Sequence, residues 1–163
     1  MKKCIHIVDI GDDYLSKLRK ITLPTIKEYA NKINAEINFI TKRKYPTWPI
    51  VYEKMQVYDY GIDYDWNILL DIDYVILPQM YDVTKTYSAD IVSFSYYYPA
   101  TTQLKADHYF LRDGRNIGIA ANFVVASKWT HDLWEPLDMP LEVALQNVTR
   151  HHVIDEYWSD WYR

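Results

Sequence analysis

The stretch from Trp66 to Leu77, WNILLDIDYVIL, constrains this chain more than any other. An apolar run, Ile68-Leu69-Leu70, meets two carboxylates, Asp71 and Asp73, and then resumes as Tyr74-Val75-Ile76-Leu77. A run that is apolar at every position suits a strand buried on both faces, in a sheet covered by helices. A carboxylate buried without a partner is costly, and two close ones resist joint ionisation. The pair therefore needs a wet edge of the sheet or a cation. Residues two apart on a strand project to the same side. If the strand continues through the pair, Asp71 and Asp73 face one way and Ile72 the other. Hard divalent cations take oxygen ligands and share them with substrate phosphates. Asp71 and Asp73 are thus candidate ligands for Mg²⁺ or Mn²⁺ beside a diphosphate.

The segments before this stretch alternate between strand and helix patterns. Residues 3–10, KCIHIVDI, predict a first strand that ends at the turn signal Gly11-Asp12-Asp13. Leu15, Leu18, Thr22, Ile26, Tyr29, Ala30 and Ile33 recur at helical spacing, with a kink or break expected at Pro24. A second strand falls within 33–40. Residues 41–49 form a basic loop carrying Lys42, Arg43 and Lys44. A short helix is expected over about 50–60, with Val51, Met55 and Tyr58 on one side and Gly61 at its end. Farther on, 89–98 and 116–127 predict strands, and 129–134 and 140–150 predict helices. This order argues for an α/β layered domain whose later half adds antiparallel strands. No repeat or linker divides residues 1–163, so one domain is expected.

Composition removes several function classes. The chain is 49% apolar and 25% charged, which permits a sizeable core and argues against disorder. A formal charge of -4 disfavours a broadly electropositive surface, so no nucleic-acid partner is expected. Four glycines leave little for a Gly-rich phosphate loop. The single cysteine, Cys4, excludes an intrachain disulfide and a cysteine-rich metal site, and it suits a reducing compartment. Lys2-Lys3 resembles the start of a signal peptide, but His6 and Asp9 interrupt the short apolar run that follows. No run of 18 apolar residues is present. The expected location is cytoplasmic, with peripheral membrane contact left open. Sixteen Tyr and six Trp suit a core, a sugar-binding face or a homodimer interface alike.

The segment YEKMQVYDYGIDYDWNILLDIDYVI, residues 52–76, resembles the diagnostic stretch of nucleotide-sugar-dependent glycosyltransferases of the GT-A fold. Residues 5–40 are similar to the first strand, nucleotide loop, first helix and second strand of that fold. NIGIAANFVVASK, 116–128, is similar to its donor-side strand. The nearest type is a small viral or bacterial transferase. The resemblance implies a GT-A-like, Rossmann-like mixed sheet flanked by helices, in a shortened version. It implies transfer of a hexose from a nucleoside-diphosphate sugar, with UDP as the default base, to a glycan, glycoprotein or lipid-linked acceptor. On this resemblance Asp73 binds Mn²⁺ or Mg²⁺ directly. Asp71 contacts the donor or the metal through water, and His152 adds a further metal ligand. Asp9, Gly11 and Tyr14 hold the nucleotide, Lys54 orients the donor, and Asn122 contacts its sugar. Asp155 or Glu156 acts on the acceptor hydroxyl or the donor sugar. By their aromatic chemistry alone, Trp129, Trp134, Trp158 and Trp161 suit an acceptor groove, a core or an interface. The residues themselves leave two other readings open. One is a Mg²⁺-dependent nucleotidyltransferase or phosphohydrolase using the same carboxylates. The other is a non-catalytic carbohydrate-binding or assembly protein.

Overall fold

The structure is a computed structural model that describes residues 1–11, 13–86, 92–93, 111 and 123–147. Among the described residues five strands pair into one sheet: β1 (Lys3–Val8), β2 (Glu36–Ile40), β3 (Trp66–Leu70), β4 (Val92–Ser93) and β5 (Phe123–Ser127), in the order β2-β1-β3-β5-β4. β1 runs parallel to both β2 and β3, whereas β5 is antiparallel to β3 and to β4. Helix α1 (Asp13–Ile33) links β1 to β2. A 3-10 helix, Ile50–Gln56, runs into the short α2 (Val57–Tyr60). After α3 (Val83–Thr86), a second 3-10 helix, Lys128–Trp134, follows β5 and precedes α4 (Leu141–Asn147). This is the mixed α/β sheet with flanking helices that the sequence predicts. No described helix is long and apolar enough to cross a membrane.

Every residue of β3 is buried, and its alternate side chains enter two cores. Ile68 and Leu70 pack with Ile5, Ile7, Phe123 and Val125 under the α1 residues Ile26, Tyr29, Ala30 and Ile33. Leu69 points to the opposite face and packs with Val124, Trp48, Tyr52, Met55 and Trp134. Layers on both sides of the sheet explain why β3 has no solvent-facing side. Trp134 is fully buried there, so its ring belongs to the core and not to an acceptor groove.

Two helices differ from expectation. α1 continues unbroken through Pro24. Pro24 and Lys20 both lie on the exposed side, where water is at hand for a carbonyl that a proline leaves without its amide donor. The helix ends in a left-handed residue, Asn34 (φ 55°). Asn34 N–H donates to the Asn31 carbonyl, and Ala35 N–H to that of Ala30, which closes the last turn. The expected helix over 50–60 begins as a 3-10 helix, which changes the faces it presents.

On the Leu69 side of the sheet lies a buried polar network. His6 Nε2 is 2.8 Å from Asn67 Oδ1, and Asn67 Nδ2 donates to the Gly61 carbonyl at 3.0 Å. Asn67 thus offers its oxygen to His6, so Nε2 carries the proton. Nδ1 then accepts from Asn38 Nδ2 at 3.2 Å. Burial disfavours a second proton and lowers the imidazole pKa to about 4. Between the unfolded value near 6.5 and about 4, only the unfolded chain is protonated at this site. The contribution is complete above pH 6.5 and falls as the pH drops toward 4. Urea denaturation from pH 7 to pH 4 is therefore expected to cost the wild type up to about 3 kcal/mol more than His6→Gln. Parallel pH profiles would contradict this.

Candidate functional site

β1 connects through α1 to β2 on one side, while β3 pairs with it on the other. Where parallel strands send their connections in opposite directions, a crevice opens beyond their carboxyl ends. A cleft of about 670 Å³ lies there. The end of β1, the first turns of α1, the 3-10 helix Ile50–Gln56 and the turn after β3 supply its walls. Leu15, Leu18, Ile50 and Val51 make much of the lining apolar, while Lys54, Asp71 and Asp73 bring charge.

Gly11 forms the rim after β1, with φ at +151°. A Cβ there would come within 2.8 Å of Leu15 Cδ1. The dihedral is what requires glycine, since the Leu15 side chain can turn aside. Asp9, two residues earlier, accepts from Arg19 Nε at 2.7 Å. Its carboxylate is therefore tied to α1. Tyr14 sits in the first turn of α1, and its side chain lies outside the described residues.

β3 ends at Leu70, and residues 71–74 form a turn in which Tyr74 N–H donates to the Asp71 carbonyl at 3.1 Å. The predicted strand does not run through the two carboxylates. Asp71 and Asp73 reach one cleft through the bend of this turn, not through the pleat of a strand. Ile72 faces the core with Ile68 and Leu70. Val75 and Leu77 are exposed, so the apolar segment 74–77 is not a second length of buried strand. Asp71 is a third exposed and Asp73 is exposed, which answers the charge problem posed by the sequence. Burial, and then the nearby Asp71 and Asp73 charges, hold the Tyr74 phenol above its usual range.

Lys54 is buried, and its Nζ lies 2.7 Å from Asp71 Oδ1. The 3-10 geometry places it there. Three residues per turn bring Val51 and Lys54 onto one face, toward the cleft, while Met55 packs in the core. The same period brings Glu53 above Gln56, whose Nε2 donates to the Glu53 carboxylate at 2.7 Å. Glu53 is wholly buried and also accepts from Arg43 Nε at 2.6 Å and from the backbone N–H groups of Lys44 and Tyr45. It thereby fastens the basic loop to the helix that carries Lys54. Arg43 also donates to the carbonyls of Tyr45 and Trp48.

Of the expected site residues, Gly11, Lys54, Asp71 and Asp73 come together at one cleft. Asn122, His152, Asp155 and Glu156 lie outside the described residues, as do Trp158 and Trp161. Among the described residues no three His, Cys, Asp or Glu side chains gather as a metal cage. The donors at the cleft are the carboxylates of Asp71 and Asp73. An oxygen-only set of this kind fits a hard divalent ion that takes its remaining ligands from phosphate and water. Sequence reasoning missed Arg19 and Glu53. Their partners, Asp9 and Arg43, each lie ten residues away, a spacing with no local signature. Removal of the Glu53 carboxylate strands two backbone donors and a guanidinium. Glu53→Ala should lower stability by about 3 kcal/mol in urea denaturation. A loss below about 1 kcal/mol would show that the loop does not depend on this anchor.

No protein-family model and no curated protein sequence matches the chain. Solved structures do resemble its fold. A glycosyltransferase involved in glycosylation of the major capsid of PBCV-1 superposes with a TM-score of 0.58 at 11% identity, over 97% of this chain and 74% of that one. A197 from STIV gives a TM-score of 0.45 at 20% identity, over 86% of this chain and 70% of that one. The chain therefore shares its overall fold with a viral capsid glycosyltransferase.

Proposed function

We propose that this chain is a metal-dependent glycosyltransferase. It moves a hexose from a nucleoside-diphosphate sugar, with UDP as the nucleotide, to a hydroxyl of a glycan, glycoprotein or lipid-linked acceptor in the cytoplasm. The observation that carries the reading is the grouping of Asp71, Asp73 and Lys54 in a cleft at the carboxyl ends of β1 and β3. Such a crevice is where open α/β sheets bind ligands, and its volume suits a nucleotide-sized molecule. The shared fold supports the same reading.

In this proposal Asp73 and Asp71 hold Mn²⁺ or Mg²⁺, and His152 completes the set. When bound, the ion offsets the charge that grows on the departing diphosphate. Lys54 supplies a further positive charge beside it. The first turn of α1 follows Gly11 and adds the partial positive charge of unpaired N–H groups. Gly11 lets the donor approach the backbone, Asp9 steadies the loop through Arg19, and Tyr14 stacks on the base. Asn122 contacts the donor sugar. Asp155 or Glu156 takes the proton of the acceptor hydroxyl. The acceptor oxygen bonds to the anomeric carbon, and the bond to the diphosphate oxygen breaks.

A donor screen tests this directly. With Mn²⁺ present, the protein is expected to release nucleoside diphosphate from one NDP-hexose among a set. Asp73→Asn should cut that rate by about 100-fold or more, and EDTA should do the same. Full turnover by Asp73→Asn, or turnover of nucleoside triphosphates instead of sugar nucleotides, would overturn the assignment.

A further inference from the structure

The cleft contains a cation of its own. Lys54 rises from a buried helical turn between Glu53 and Met55, both wholly buried, and its ammonium meets Asp71 at 2.7 Å. Asp73 lines the same cleft. Two carboxylates alone would offer two negative charges to a divalent ion. With Lys54 on Asp71 they offer a net charge of one, and one carboxylate oxygen is already occupied. The affinity of an oxygen site for a hard cation follows its ligand charge count. The pair therefore works against uptake of metal alone.

From this arrangement we propose that Lys54 occupies the metal's place beside Asp71 in the ligand-free protein and yields it only when a diphosphate enters. Metal and nucleoside diphosphate are then taken up together. The inference rests on the transferase reading and specifies how that site is loaded. A lysine is a point charge on a flexible four-carbon stem, so its ammonium can turn from carboxylate to phosphate while its backbone stays fixed. The backbone here is held by Glu53, through Gln56, Arg43 and the Lys44 and Tyr45 amides. The phosphates bring the negative charge that draws the ammonium away. Asp71 then joins Asp73 with its full charge.

The test is Mn²⁺ binding to the protein by equilibrium dialysis, with and without saturating UDP, with the Mn²⁺ held by UDP alone measured in a protein-free chamber and subtracted. Wild-type protein is expected to bind Mn²⁺ at least about tenfold more tightly when UDP is present. Lys54→Met should bind Mn²⁺ alone about tenfold more tightly than wild type, and UDP should add much less. Lys54→Arg retains the positive charge and should keep the weak binding of Mn²⁺ alone. If Lys54→Met binds Mn²⁺ alone no better than wild type, the exchange is wrong, although the transferase reading stands. The same holds if wild-type protein shows no linkage between Mn²⁺ and UDP, a result that needs no variant to fold. If no protein binds Mn²⁺ even with UDP, the metal-dependent reading fails as well.

Discussion

The parallel pairing of β1 with β2 on one side and β3 on the other governs the rest of the molecule. Cys4 pairs with Glu36 and with Asn67, and this register continues to Val8 opposite Ile40 and Ile7 opposite Leu70. Because β1 and β3 run the same way, their carboxyl ends share one edge. Gly11 and the Asp71 turn are then neighbours across a cleft although sixty residues separate them in sequence. The pairing depends on burial, since Ile5, Ile7, Ile68 and Leu70 are fully enclosed under α1. At roughly 1.5–3 kcal/mol for each large apolar side chain, this core outweighs any single polar contact at the edge.

The two ends of the sheet treat charge differently. At the amino end Lys3 is buried, and its ammonium donates to the Ile33 carbonyl at 2.9 Å and to Asp82 at 2.7 Å. Burial would raise the Asp82 carboxyl, but Lys3 and Thr84 outweigh it and hold the group below its ordinary range. That end is closed by a pair whose members satisfy each other. At the carboxyl end Lys54 meets Asp71, but Asp73 stays in water. Among the described residues no cation is paired with Asp73, and the cleft lies there.

Much of this was legible from the residues. The strand at 66–70 declared itself by a run with no polar face, and the carboxylates after it by their conflict with that run. Gly11 and Lys54 were placed near the same site only through family resemblance. The helical spacing of Leu15 to Ile33 predicted α1, but Pro24 suggested a break. Sequence alone could not say that Pro24 and Lys20 would both lie on the exposed side. The segment 50–56 was misleading for a different reason. Its apolar spacing fits an α-helix nearly as well as a 3-10 helix, and the contacts that Glu53 makes with Arg43, Lys44 and Tyr45 of the preceding loop are invisible to spacing. Tertiary contacts of that kind leave no periodic trace. The bend at 71–74 was hidden as well, because the apolar residues beyond it imitate a continuing strand while Val75 and Leu77 stay exposed.

The 3-10 turn also limits how this segment can change. Successive side chains around it are spaced by a third of a revolution. Insertion or deletion of one residue between Pro49 and Glu53 would swing Lys54 out of line with Asp71, and the same rotation would pull Glu53 from the loop it fastens. Countercharge and anchor are thus geared to one another.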